Sequence, residues 1–328
     1  MRRGLIRYLV VRFSLAAAAA LLIMPCNAIG QSYPQRPLRM IVPFAPGGGT
    51  DILARIAAGK LTESTGQQVI VDNRPGAGGN VGTELAARAT PDGYTLLMVS
   101  ASYAVNAVVY KLALDPVKDL SPVIQVASVP FVLLAHPSVP VSNIKELLAL
   151  AKAQPGKLTY ASSGTGSSPH LAGELLSMMT GTRMVHVPYK GGGPALRDLM
   201  GGQVQLLYVT VVAALPYIEA GKLKALGVAS LHRSSALPAV ATIAESGVPG
   251  YDVTNWFGLL VPAGTPASIV TLLNTEVRRQ MNTPDAKARL ASQGADPASG
   301  SPQDFGRLIR EDIAKYQKIV QAAGITIR

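Results

Sequence analysis

Short apolar runs of strand character alternate along the chain with stretches whose apolar positions recur every three or four residues. Residues 38–44 read as a strand, and residues 51–64 place Ile52, Leu53, Ile56 and Ala57 at helical spacing. A strand over 69–73, a helix over 80–89 and a strand over 94–100 follow. The pattern then restarts. A helix over 144–153, a strand over 158–162 and a helix over 169–180 succeed one another, the last with Leu171, Leu175, Met178 and Met179 along one face. A strand over 184–187, a helix over 194–200 and a strand over 204–210 complete the second block. This alternation predicts an α/β fold of mostly parallel sheets flanked by helices. No repeat of solenoid period is visible, which excludes that architecture.

Two blocks predict two lobes. The β-rich run VIQVASVPFVLLAHP lies between them, and YDVTNWFGLLVPAGTP follows near residue 255. Two such crossings would return the chain to its first lobe, which helices over 267–281 and 302–323 would complete. The expected organisation is residues 1–28 as a leader, 29–128 with 254–328 as lobe one, and 129–253 as lobe two.

The leader expectation rests on Arg2, Arg3, Arg7 and Arg12 ahead of SLAAAAALLIM, followed by a small-x-small step at Cys26, Asn27 and Ala28. That is the pattern of a secretory signal peptide, with an apolar run too short to span a membrane. Its removal would leave 26 basic and 19 acidic residues, a net charge of +7 in place of +11, and no cysteine. Such an exported domain relies on its core rather than on disulfides. The remaining positive charge is spread out, without basic runs or interleaved aromatics. That argues against nucleic acid as a partner and for a mild field attracting small anions. An apolar share of 48% against 15% charged excludes disorder.

Four predicted strand-to-helix junctions share one composition: PGGGTD (46–51), RPGAGGN (74–80), SSGTGSS (162–168) and YKGGGP (189–194). In parallel sheets these junctions lie at the carboxyl ends of the strands, where open α/β folds bind ligands. The first N–H groups of a helix lack intrahelical partners and carry the positive end of its dipole. Glycine lets the backbone approach a ligand closely. Thr50 or Asp51, Asn80, and Ser167 or Ser168 are expected caps, and Pro169 and Pro194 fit the first helical position. The set suits a carboxylate or other small anion, with Thr50, Asn80, Ser163, Thr165 and Ser167 supplying hydroxyls and amides.

Named catalytic motifs are missing. PGGGTD lacks the lysine and hydroxyl of a phosphate loop, and GAGGNVG misses the dinucleotide spacing because Val81 stands where the third glycine belongs. There is no G-x-S-x-G and no H-E-x-x-H, so no cofactor, metal or catalytic residue is assigned. His170, near its helix start, is expected to be neutral; holding the turn and touching a ligand both stay open as its role. Lys190 is the one charged candidate in the last glycine turn. Trp256 and Phe257 either wall a cleft or fill the hinge.

The segments YPQRPLRMIVPFAPGGGTDILAR, VDNRPGAGGNVGTELAARATPDGYTLL, LTYASSGTGSSPHLAGELL, VPYKGGGPALRDLMGGQV and GLLVPAGTP resemble the substrate-binding proteins of tripartite tricarboxylate transporters, the Bug-type periplasmic receptors. The resemblance runs from about Tyr33 to the C-terminus. It implies a two-lobed Venus-flytrap protein that closes on a small organic anion, without catalysis, and delivers it to membrane permease subunits. It also implies that backbone amides and ordered water hold the ligand carboxylate. Matched by motif, the first-lobe contacts would be Phe44, Ala45, Gly48, Gly49 and Thr50, with Gly78, Gly79 and Asn80 nearby and Ser100 and Ala101 at a strand end. Those of the second lobe would be Ser163, Gly164, Thr165, Gly166, Ser167 and His170, then Tyr189, Lys190 and Gly191. The chain departs from the family at Gln205 and Tyr208, where an acid and a phenylalanine are usual. If that acid faces the cleft, its loss disfavours ligands bearing an ammonium group. A monomer is the expected state. A receptor presenting its ligand to a membrane sensor, or an exported enzyme using His170, Lys190 or the loop serines, are the alternatives.

Overall fold

The computed structural model describes residues 33–292, 294–297 and 300–323, so the expected leader lies outside the described residues. Strands β1 (Leu38–Val42), β2 (Val69–Asn73) and β3 (Thr95–Ser100) are parallel, with β1 in the middle. Helices α1 (Gly49–Thr65), α2 (Asn80–Ala87) and α3 (Ser102–Val109) follow them in turn. After the long strand β4 (Leu120–Ala135) come α4 (Ile144–Ala153), β5 (Thr159–Ser162), α5 (Ser168–Thr180), β6 (Val185–Pro188) and α6 (Gly192–Met200). Strand β7 (Leu206–Thr210), α7 (Val211–Glu219) and β8 (Lys224–Val228) close this block. The chain then runs through β9 (Thr254–Pro262), α8 (Ala267–Met281), α9 (Pro284–Ser292), β10 (Asp296–Pro297) and α10 (Pro302–Ala323).

The strands form a ten-stranded sheet in the order β2-β1-β3-β9-β4-β7-β5-β6, with β8 and β10 both pairing to β4. Strand β4 joins the two lobes. From Leu120 to Pro130 it pairs antiparallel with β9, and from Phe131 to Ala135 it pairs with β7 and β8. Its end is sealed on both faces, which explains the unbroken apolar run VLLA: Val132, Leu133, Leu134 and Ala135 are all fully buried. Alternate residues serve opposite layers. Leu133 packs with Tyr160, Tyr208 and the α5 residues Leu175 and Leu176. Val132 and Leu134 pack with Leu207, Val209 and the α6 residues Leu196 and Leu199. Each such fully buried side chain is worth roughly 1.5–3 kcal/mol, so the junction between lobes is among the better-anchored parts of the chain.

One expectation changes. Met178 and Met179 are 43% and 38% exposed, so the apolar stripe of α5 stops at Leu175 and Leu176. The run YDVTNWFGLLVP makes the return between lobes: the Tyr251 hydroxyl donates to the Ala172 carbonyl and the Val253 N–H to the Ala229 carbonyl, both at 2.8 Å, and β9 then pairs with β3 and β4.

Candidate functional site

Parallel strands β1 and β3 of one lobe and β5, β6 and β7 of the other all feed helices whose first residues converge. The cap residues of α1, α5 and α6 are Gly48, Ser167 and Gly191, and none makes a side-chain cap bond. Of the caps anticipated from sequence, Ser167 takes the position without the side-chain bond, while Thr50, Asp51 and Asn80 lie inside their helices. Asp51 lies inside α1 and turns back, accepting the Gly47 N–H at 3.1 Å and the Asn73 Nδ2–H at 3.0 Å. Burial would raise its pKa, but these bonds and the Arg55 guanidinium hold the carboxyl below its usual range. Asp51 thus fixes the 44–47 turn. Asn80 is the first residue of α2, capped by Gly79, whose φ of 108° only glycine adopts readily. Ser167 donates its hydroxyl to the Gly164 carbonyl at 2.6 Å, and Pro194 is the third residue of α6. The first N–H groups of α1 are left without a side-chain cap.

The two lobes meet through backbone. The Ala45 N–H donates to the Lys190 carbonyl at 2.9 Å, and the Tyr110 hydroxyl donates to the Thr165 carbonyl at 2.7 Å. The Ser168 N–H donates to Ser102 Oγ at 3.0 Å. Such approach requires glycine: a Cβ on Gly48 would come within 3.1 Å of the Gly192 nitrogen, and one on Gly78 within 2.5 Å of the Thr165 oxygen. The molecule is closed.

Between the lobes lies a cavity with about 30 Å³ open to the centre of a water molecule. Its walls include Phe44, Gly48, Gly49, Thr50, Ser100 and Ser163, six of the residues expected from sequence. An adjoining mouth of about 380 Å³ is lined by Phe44, Gly78, Gly79, Ser163, Gly164, Thr165, Tyr189 and Lys190. The other expected residues stand outside both linings. Ala45 and Gly191 face each other across the lobe contact, where a Cβ on Gly191 would meet the Ala45 nitrogen at 2.9 Å. Asn80, Gly166, Ser167 and His170 lie behind the loops. Among the described residues that line the inner cavity, none is charged.

His170 belongs to a buried group beneath the 162–168 turn. Its Nδ1 accepts the Gly166 N–H at 3.2 Å, and its ring stacks on His186 with centroids 3.9 Å apart. His186 Nε2 lies 2.6 Å from Ser162 Oγ, and the Tyr160 hydroxyl donates to Glu174 at 2.5 Å. Burial lowers the pKa of His170, only partly opposed by Glu174. Burial, then His170, pushes His186 down to about 3. Both rings are neutral, as the helix start led one to expect of His170, and they hold the turn.

Sequence reasoning missed part of the cavity wall. Ser102, Phe131, Tyr208, Thr210 and Asn255 all contribute, beside Phe257, one of the two aromatics expected to wall the cleft or fill the hinge. Thr210 and Asn255 carry a signal that was there to read: each is the polar residue at one end of an apolar strand. Gln205, in contrast, spends its side chain on Thr159, whose N–H it accepts at 2.9 Å, and does not line the cavity. The inference drawn from its missing acid therefore loses its basis. Trp256 packs edge-on against Phe305 and donates to Asp312 at 2.6 Å, while Phe257 forms cavity wall.

A family model described as the tripartite tricarboxylate transporter family receptor matches residues 53–325. The chain belongs to that receptor family. BugT of Bordetella pertussis is 38% identical over 314 residues, spanning 95% of this chain and 96% of BugT. A Rhodopseudomonas palustris protein solved with adipate is 40% identical and superposes with a TM-score of 0.87 over 90% of this chain and 99% of its own. The periplasmic binding protein BugD, 34% identical, gives a TM-score of 0.87 over 90% of this chain and 100% of its own. The two-lobed fold and the receptor role, as opposed to an enzymatic one, follow from this membership.

Proposed function

We propose that the protein captures a small carboxylate-bearing solute between its lobes and passes it to the permease subunits of a tripartite carrier in the membrane. The observation that carries this reading is the start of α1, uncapped by any side chain and opening on a cavity without a charged residue. Backbone N–H groups are then the attraction for an anion, and lobe closure strengthens each of them by expelling water. The adipate held by the R. palustris relative supports the ligand class. The change of partner along β4 at Phe131 supports lobes of 29–128 with 254–328 and of 129–253, moving about that strand. The protein acts as a monomer, exported to the periplasm on a leader formed by residues 1–28.

A thermal-shift screen tests the ligand class. Protein unfolded and refolded to strip carried-over solute is melted with dicarboxylates, tricarboxylates, aromatic acids and amino acids. A ligand at about 100 times its Kd adds about 2.7 kcal/mol. That raises the midpoint by about 2–4 °C in a chain of this size. No shift from any acid, in protein that melts cooperatively, would overturn the carboxylate reading.

A further inference from the structure

Two buried polar atoms of the cavity wall have no hydrogen-bond partner: Thr210 Oγ1 and Asn255 Nδ2. Thr210 is 4% exposed and Asn255 1%. An unpaired group at such depth costs about 1–3 kcal/mol, so two in one cavity call for an occupant.

Their placement follows from strand register. Asn255 of β9 stands opposite Val129 of β4, and Thr210 of β7 stands opposite Phe131 on the other edge of the same strand. Directly paired residues share a face, and so do positions 129 and 131 of one strand. Asn255, Phe131 and Thr210 therefore form one floor across three strands, with polar ends and an aromatic middle. Two strand spacings and two residues of rise separate the ends by about 12 Å at the backbone.

The two ends differ in chemistry. Thr210 lies against the start of α1, since a Cβ on Gly49 would fall 2.2 Å from its Oγ1. It belongs to the anion station already described. Asn255 belongs to the opposite end, near Ser100 and Ser102. Its Oδ1 accepts the Ala101 N–H at 3.3 Å, which turns Nδ2, a donor only, to the unpaired side.

We propose that Asn255 and Thr210 set ligand specificity. Thr210 completes the station for the first carboxylate, and Asn255 Nδ2 donates to a second acceptor at the far end, a second carboxylate carried past Phe131. The reading rests on carboxylate capture in this cleft. A monocarboxylate of equal length leaves Asn255 unpaired, and an ammonium group at that end meets a donor.

Asn255→Asp tests this, because aspartate keeps the acceptor for Ala101 and replaces the donor by an acceptor, with a negative charge added at that end. Binding of succinate, glutarate, adipate and pimelate, and of the monocarboxylates of equal length, is measured by calorimetry on refolded protein. The wild type is expected to bind its best diacid about 10- to 100-fold more tightly than the matching monoacid, the range for a hydrogen bond to a charged group. Asn255→Asp should abolish that preference, weakening the diacid more than the monoacid, whose carboxylate the new charge about 12 Å away also repels. Asn255→Ser, run alongside in case the aspartate variant does not fold, should lose the same preference. Thr210→Val should weaken diacid and monoacid alike. A preference that survives both Asn255 variants would overturn the proposal while sparing carboxylate capture. Absence of binding to any acid by the wild type would overturn both.

Discussion

Gly49→Ala should weaken ligand binding while leaving the ligand-free protein as stable as before, or more so. Gly49 opens α1 with no left-handed φ, so its backbone makes no demand for glycine. Alanine is up to about 1 kcal/mol better than glycine inside a helix, and less at the first turn. The constraint comes from the other lobe. The added Cβ would lie 2.2 Å from Thr210 Oγ1 and 3.1 Å from both Thr210 Cβ and Cγ2. Thr210 is 4% exposed, ends β7 and caps α7, so it cannot swing clear. Overpacking of this kind costs about 1–3 kcal/mol. The open protein avoids that cost, which falls entirely on the closed state and so on affinity, as a loss of about 5- to 150-fold. Calorimetric titration with the best acid measures the loss, and a melt without ligand measures stability. Thr210→Ala should cost less affinity when added to Gly49→Ala than on its own, because it also relieves the clash. Two results would refute the reasoning. Unchanged affinity would mean that Gly49 and Thr210 are apart in the bound state. A parallel fall in ligand-free stability would make Gly49 a folding residue.

Tyr110→Phe removes the hydroxyl that bonds the Thr165 carbonyl across the cleft and should weaken binding by about 0.5–1.5 kcal/mol. The far-UV spectrum should not change, and wild-type affinity would show that this bond does not hold the lobes closed. The stacked histidines set a pH dependence. Both are lowered in the folded protein by burial, so between pH about 6.5 and the folded values the unfolded chain binds more protons. Stability is then full above pH about 6.5 and falls with acidification, for His186 down to about pH 3, by up to about 1.4 kcal/mol per pH unit. Urea midpoints between pH 7.5 and 4.5 should follow this slope, and His186→Phe should flatten it. A flat wild-type profile would contradict the neutral pair.

The elements that sequence made legible are those with strong local signatures. The helices Ile144–Ala153 and Ala267–Met281 and the strand Val69–Asn73 lie where periodicity put them. Asn143 caps its helix through its side chain, the kind of end signal that can be read from one residue. Helix α3 escaped because Ser102–Val109 is short, rich in β-branched residues and begins directly at a strand end. Helix α7 escaped because it starts with two valines and contains Pro216. What holds both is tertiary packing, which no local window contains. The same divide runs through the site. Glycine turns announced the proposed anion station, since their composition is local. Thr210 and Asn255 carried only the weak signal of a polar residue at the end of an apolar strand; the register of β7, β4 and β9 is what places them on one face. His170 was legible as a residue of the turn but not as half of a stack, because His186 arrives from β6.

The structure of the refolded protein crystallised with its tightest-binding acid tests the central claim most directly. The account requires one ligand carboxylate about 3 Å from the backbone N–H groups of Gly49 and Thr50, with the second-lobe turn at Ser163 closing over it. A ligand seated elsewhere, or an arginine or lysine side chain holding the carboxylate in place of the helix start, would contradict it.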